Sequence, residues 1–384
     1  MRVPRRIHYV VEAGHSGFAV AGREAIRTLV AAGVEVTWEP IAWGNGGMQS
    51  YHGPLPPDPL LDTRRRAPSR PDAVVLHMTP NSLPPWLERY GGYRLIVHTV
   101  WESDRLPPGW GALLNQAQAV IVPCHWNAEV FRDGGVDVPV HVIPYTLSED
   151  LYVERAEPAG RKTVFYSIGL WTSRKAIDRL VRAYLSAFSR DDQTELVLKT
   201  SAKDLSRLSR RFAVRHLLNA WNNSARSLAR LRREFDSKAP IRLLTGHDPR
   251  ATILNLHAHS HCYTSLCHAE GWGLGAFEAA AIGNPVVMTG FGGQTDFLDP
   301  DLSHLVDYTL VPCAANFFEG FFTSEQSWAD ADHQSAVNAL RDVHENRPAA
   351  FAKARVLQAR IRANYSAERL APRWIEVVEA CVHG

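Results

Sequence analysis

Residues 267–298 read CHAEGWGLGAFEAAAIGNPVVMTGFGGQTDFL. The run SHCYTS (260–265) leads into this stretch, and the glycines of EGWGLG separate it from an alanine-rich segment starting at about Leu274. That order predicts strand, loop and helix start. A helix beginning there aims its first free N–H groups, around Gly273, Leu274, Gly275 and Ala276, back into the loop. Such an end attracts anions, because orphan donors and the macrodipole both favour negative charge. Glycines there keep side chains from holding a phosphate away from the backbone. Glu278 lies about one turn inside and can accept two hydrogen bonds from a vicinal diol. Glu270 precedes the turn and can face the same pocket. The combination suits a nucleotide diphosphate joined to a polyol: diphosphate on the amides, ribose on Glu278 and sugar hydroxyls near Glu270.

Outward from this stretch, short apolar runs alternate with helical patterns. IHYVV (7–11) precedes a glycine-bearing loop, AGHSGF (13–18), and a helical face marked by Ala25, Leu29 and Ala32, stopped at Gly33. VEVTWEP, DAVVLH (72–77), RLIVHT (94–99), AVIVP (119–123) and VHVIP (140–144) follow as buried-strand candidates. SEDLYVERAEPAGRK is polar, with a Pro and a Gly, and reads as a linker at about 150–162. A second series then begins with TVFYSIG (163–169), ELVLKT (195–200), IRLLTG (241–246), SHCYTS and NPVVMTG (284–290). The fold class is α/β: two Rossmann-like halves, with a ligand cleft expected at the carboxyl ends of the strands. We place the domains at 1–155 and 160–365. A closing helix (366–384) follows, with Trp374, Val377, Val378 and Cys381 on one face.

Composition narrows the classes. The 384 residues exceed one ordinary core, and a net charge of +2 gives no global attraction to nucleic acid. The basic start MRVPRRIHYVVEAGHSG carries an apolar run broken by His8 and Glu12, a first strand rather than a signal peptide. No stretch approaches the roughly 20 apolar residues of a membrane span. Five cysteines, without scaffold spacing, suit a reducing cytoplasm.

The stretch resembles the C-terminal signature of the retaining GT-B glycosyltransferases of sequence family 4: Glu, seven residues, Glu, then an alanine-rich helix, G-x-P-V-V and a Gly-Gly turn. Glu270 to Glu278 has that spacing, and AAAIGNPVV (279–287) and GFGGQTDFL (290–298) match the continuation. The resemblance implies Glu270 at the reacting sugar, Glu278 on the ribose, and Gly273, Leu274 and Gly275 near the diphosphate and sugar. IGLWTSRKAIDRLVRAYLSAF (168–188) is similar to the family segment that supplies cations to the diphosphate, and Lys175 matches the family lysine. Many members carry an arginine where Leu170 stands here, so Arg174 or Lys199 would supply that charge. HTVWESDRLPPGW (98–110) and VPCHWNAEVFRDGGV (122–136) resemble one branch; Glu102 or His98 would take the place of a family histidine. Gly14 and Gly17 resemble the first-domain glycine loop facing the donor phosphates. The implied reaction moves a sugar from a nucleotide diphosphate sugar to a glycan, lipid-linked or other acceptor, with no cofactor and no metal. Two alternatives stay open: a nucleotide-sugar 2-epimerase-like enzyme, and a non-catalytic member that binds nucleotide sugar or glycan.

Three features stand apart. Residues 203–238 hold ten Lys/Arg against three Asp/Glu, with Arg207, Arg210, Arg211 and Arg215 at helical intervals. They read first as a solvated helical hairpin. The other reading is a surface for anionic lipid or a charged glycan, which would place the protein peripherally on the inner face of the membrane. Its aromatics, Phe212, Trp221 and Phe235, form no regular interleaving with the charge, which disfavours nucleic acid. LHAHSHCYTSLCH (256–268) raises a metal site, but it holds no C-x-x-C and lies where a helix gives way to a strand, so its ligands would point in several directions. DPD (299–301) and DAD (330–332) contain D-x-D without a preceding strong strand.

Overall fold

The computed structural model describes the chain except residues 1–4, 45–46, 67–69, 156, 208–222, 247–249, 315–320 and 384. It divides into two compact units. One comprises Met1–Trp101, Arg105–Ser148 and Ala363–Gly384; the other comprises Glu102–Asp104 and Glu149–Arg362.

The first unit is built on seven strands: β1 (Arg6–Glu12), β2 (Glu35–Gly44), β3 (Gly47–Ser50), β4 (Ala73–His77), β5 (Leu95–His98), β6 (Ala119–Val122) and β7 (Val140–Val142), ordered β3-β2-β1-β4-β5-β6-β7. All pairings are parallel except the hairpin β2–β3. A parallel strand covered on both faces needs apolar residues at successive positions, and β4 and β5 are buried throughout. The helix Gly17–Ala31 starts at Ser16, whose Oγ accepts from the Ala19 N–H at 3.2 Å. Within it, a Cβ at Gly22 would come within 2.5 Å of Val11 Cγ2, so glycine lets this helix press against β1. The C-terminal helix Ala367–His383 buries Trp374, Val377, Val378 and Cys381 in the same core as Ile7, Tyr9 and Ile26.

That core also encloses two histidines. His77 and His98 stack with ring centroids 3.8 Å apart, and Tyr9 Oη bridges their Nδ1 atoms at 3.1 and 2.8 Å. Burial holds His98 down to about 3 and, with His98 beside it, holds His77 well below the usual range. Both are neutral in the folded protein at a pH where an unfolded chain's histidines, near 6.5, take protons. Stability is therefore lost as pH falls from about 6.5 toward about 3. At pH 4.5 one such histidine removes about 2–3 kcal/mol. Urea-unfolding midpoints at pH 7.5 and 4.5 should differ strongly for the natural chain and less for His98→Phe. An equal drop in both would remove His98 from the acid response.

The second unit holds β8 (Thr163–Ile168), β9 (Thr194–Lys199), β10 (Ile241–Leu244), β11 (Cys262–Ser265), β12 (Val286–Thr289) and β13 (His304–Val306) in the order β10-β9-β8-β11-β12-β13. Every pairing is parallel. This is the 3-2-1-4-5-6 order of a dinucleotide-binding sheet, and its direction of winding reverses between β8 and β11. In open α/β sheets a ligand crevice is expected at such a switch point, outside the carboxyl ends of the strands. An antiparallel pair absent from the sequence reading, β14 (Tyr308–Pro312) and β15 (Ser327–Ala331), lies beyond the sheet in the chain.

Of the basic segment, Arg210, Arg211 and Arg215 fall outside the described residues, and Arg207 ends a short 3-10 turn. The helix Ser224–Arg233 turns Leu228 and Leu231 inward, while Arg226 and Arg233 are exposed. Among the described residues no helix is long and apolar enough to cross a membrane.

Candidate active site

The loops after β8 and β11 carry Arg174, Lys175 and Glu270, three of the charged residues singled out in the sequence. After β8 the chain runs through Gly169 to Ala176, whose φ of 45° is a left-handed conformation for a residue with a Cβ. This bend sets Arg174 and Lys175 just before the helix Ile177–Ala187. Cations at a helix N-terminus oppose its dipole, so acceptors must hold them. The Arg174 guanidinium donates to Ala269 O at 2.8 Å and pairs with Glu102 at 3.0 Å and Glu270 at 3.4 Å, while the Arg174 backbone carbonyl accepts from the His268 N–H at 2.8 Å. Lys175 Nζ donates to the other Glu270 oxygen. Arg174, Lys175, Glu102 and Glu270 thus form one cluster of two cations and two carboxylates. Glu102, read from sequence as a first-domain residue, belongs to the second unit.

Burial alone would raise the Glu270 pKa, but Lys175 and Arg174 outweigh it and hold the carboxylate below its usual range. Its backbone is fixed from behind: the Gly293 N–H donates to Glu270 O at 2.9 Å. Gly292 has φ +101°, and a Cβ there would lie 2.5 Å from that same carbonyl oxygen. The Gly-Gly turn therefore serves Glu270's placement. Trp272 packs against Phe277 and Phe297 beneath the loop, with ring centroids 5.3 and 5.0 Å away.

The helix Leu274–Ile282 begins at Gly273, left-handed at φ +87° and without a side-chain cap. Leu274 and Gly275 are partly exposed there. Gly275 has a packing reason the sequence did not show, since a Cβ would meet Tyr263 Oη at 2.5 Å. One turn on, Glu278 Oε1 accepts from Arg250 Nη1 at 2.7 Å, and Oε2 pairs with His257 Nε2 at 3.3 Å. Burial pushes Glu278 up, but the His257 bond and the Arg250 charge bring it below the usual range. Arg250 and His257 were not anticipated as partners of the carboxylate. Their signal was thin: seven residues apart on the helix Arg250–His259, with Glu278 distant in sequence.

Other candidates stand elsewhere. Lys199 ends β9, donates to Gly246 O at 2.6 Å and accepts from the Gly169 N–H at 3.0 Å through its carbonyl, next to exposed Leu170. In the first unit, Gly14 O accepts from Arg23 Nη1 at 2.8 Å and Gly17 opens the helix capped by Ser16. His98 is 1% exposed, enclosed by Tyr9, His77 and Trp374. The histidines of 256–268 disperse: His257 to Glu278, His259 to Asn255 O, His261 to Pro158 O and the Val164 N–H, and His268 to Ala329 O. Burial pushes the Cys267 thiol up to about 12. Three of the D-x-D residues have structural partners: Asp330 binds Arg179 at 3.0 and 3.2 Å, Asp332 caps the helix His333–Glu345, and Asp299 pairs with Arg360.

Comparison with known proteins agrees with this architecture. Anabaena HepE, solved with UDP and glucose, is 14% identical over 98% of this chain and 100% of its own, with a TM-score of 0.66. Sucrose-phosphate synthase from Thermosynechococcus elongatus gives 16%, 98%, 98% and 0.62 for the same quantities. The chain covers only 55% of S. aureus TarM, at 13% identity and a TM-score of 0.57. At these identities the likeness carries the fold, which is GT-B with two Rossmann-like units. No curated protein matches the sequence. The family described as GT4-conflict, "Family 4 Glycosyltransferase in conflict systems", matches residues 132–373, well over half of the chain. The chain therefore belongs to the family 4 glycosyltransferases of conflict systems.

Proposed function

We propose that this glycosyltransferase takes a nucleotide diphosphate sugar as donor and passes the sugar, with retained anomeric configuration and without a metal, to a hydroxyl of a glycan or lipid-linked acceptor. The observation that carries this reading is the convergence of Lys175, Arg174 and Glu270 where the winding of the second sheet reverses, beside the uncapped start of the helix Leu274–Ile282. HepE was also solved with UDP-glucose, which supports a donor of this class.

In the reaction the bond from the anomeric carbon to the diphosphate breaks, and the acceptor oxygen bonds that carbon on the same face. The acceptor's proton passes to the departing phosphate oxygen. Charge grows on the diphosphate, and Lys175, Arg174 and the amides of Gly273, Leu274 and Gly275 stabilise it as preorganised donors. This cationic and dipolar set does the work a divalent ion does in other transferases. Glu270, kept ionised by its two cations, orients the sugar hydroxyls. Glu102 steadies Arg174 at 3.0 Å. Glu278 takes the ribose hydroxyls. Peripheral membrane contact through 203–238 stays secondary, with Arg226 and Arg233 as its exposed cations.

The test is a panel of UDP-, GDP- and dTDP-sugars, read by thermal shift and nucleotide release. One donor should stabilise the protein and release nucleotide slowly, faster with an acceptor, and equally with EDTA present. Loss in EDTA restored by a divalent ion would overturn the metal-independent part. Release that ignores acceptor and yields a rearranged sugar would favour the epimerase alternative. Glu278→Ala should weaken donor binding by about 1–3 kcal/mol, the cost of leaving buried hydroxyls unpaired; unchanged affinity would remove the ribose role.

A further inference from the structure

We propose that Arg250 is a positioning residue: it locks the plane of the Glu278 carboxylate, and so sets the preference of the site for ribose over 2′-deoxyribose. This rests on the reading of Glu278 as the ribose acceptor.

A carboxylate has about four lone-pair positions. Arg250 Nη1 takes one on Oε1 at 2.7 Å, and His257 Nε2 faces Oε2 at 3.3 Å. That leaves acceptor capacity on both oxygens for two neighbouring hydroxyls, provided the group cannot rotate. Both of its partners are themselves held. Asn284 Nδ2 donates to Tyr166 Oη at 2.8 Å, and Tyr166 Oη lies 2.7 Å from His257 Nδ1. A Tyr166 proton given to Nδ1 leaves Nε2–H to donate to Glu278. On the other side, Asp150 grips Arg250 through Nε and Nη2 at 2.9 and 3.0 Å. A planar guanidinium bound bidentately has its third nitrogen fixed in direction, a constraint no lysine reproduces. The histidine side is buried in the unit's interior, but the Arg250 and Asp150 side chains are 34% and 36% exposed. Substitution there can release the carboxylate without opening a core cavity.

The experiment measures, by calorimetry on the full chain, the affinity for whichever of UDP, GDP, ADP and CDP binds tightest and for its 2′-deoxy counterpart. The natural chain should prefer the ribonucleotide by about tenfold or more, as a site built to bond a hydroxyl does. Arg250→Met should cost the ribonucleotide about tenfold and the deoxynucleotide less than twofold, collapsing the ratio. Arg250→Lys should restore only part of it. Asp150→Asn, at the exposed end, should give an intermediate ratio and serves if Arg250→Met does not fold. Glu278→Gln should collapse the ratio alone, with little added by Arg250→Met in the double variant.

Equal losses for both nucleotides in Arg250→Met would mean that Arg250 contacts the nucleotide directly, and would overturn the proposal. An unchanged ratio in Arg250→Met, with a collapsed one in Glu278→Gln, would overturn it while sparing the ribose reading. An unchanged ratio in Glu278→Gln, or no binding by any of the four, removes the ribose reading and this inference with it.

Discussion

Lys175→Ala should lower turnover by about 2–4 kcal/mol of transition-state stabilisation, roughly 30- to 1000-fold, with a smaller change in donor affinity. The lysine sits where a bend at Ala176 directs it to Glu270. An ammonium in that place acts most strongly when charge has moved onto the departing diphosphate, so the loss should fall on kcat more than on KM. The substitution also leaves Glu270 buried with Arg174 as its main cation, and the two opposing influences on its pKa shift toward burial. Activity in Lys175→Ala should therefore be lost at a higher pH than in the natural chain as Glu270 takes up a proton. A single-turnover rate within twofold of the natural enzyme, in a variant of normal melting temperature, would take Lys175 out of the chemistry.

Gly292→Ala comes second in size. At φ +101° and ψ −160° the backbone occupies a region essentially reserved for glycine, and strain there costs about 1–3 kcal/mol. The new Cβ would also lie 2.5 Å from Glu270 O. That atom is backbone, so relief requires the loop carrying Glu270 to move. A displacement of about 1 Å at a reacting group can cost on the order of a hundredfold in rate. We expect a melting-temperature drop together with a hundredfold or greater fall in kcat/KM. Stability lost with catalysis intact would show that the Gly-Gly turn supports the fold and not the placement of Glu270.

How much of this was legible in the sequence depends on how local the signal is. The core strands of both sheets announce themselves because buried parallel strands require consecutive apolar residues, as in AVVLH and LIVH. The hairpin β14–β15 does not, since β14 is mostly exposed and lacks such a run. The start of the helix at Leu274 follows from its glycines and alanines. Gly275's packing on Tyr263 could not be seen, because the partner comes from β11 through the fold. Arg174, Lys175 and Glu270 are individually visible as charges beside loops, and the parallel order of β8 and β11 brings their loops together. Arg250 shows nothing in its neighbourhood to mark it: its partners lie 28 and 100 residues away. His98 shows the same limit at a strand end. A histidine at a strand end looks available, but Tyr9, His77 and Trp374 close around it.

The most direct measurement is a crystal structure of the protein with an intact or hydrolysed nucleotide diphosphate sugar. The account predicts diphosphate oxygens within hydrogen-bond distance of Lys175 Nζ, Arg174 and the amides at Gly273 to Gly275, with the ribose hydroxyls on Glu278. A diphosphate bound away from that helix start, with Glu270 still closed on Lys175 and Glu278 touching no part of the ligand, would contradict it.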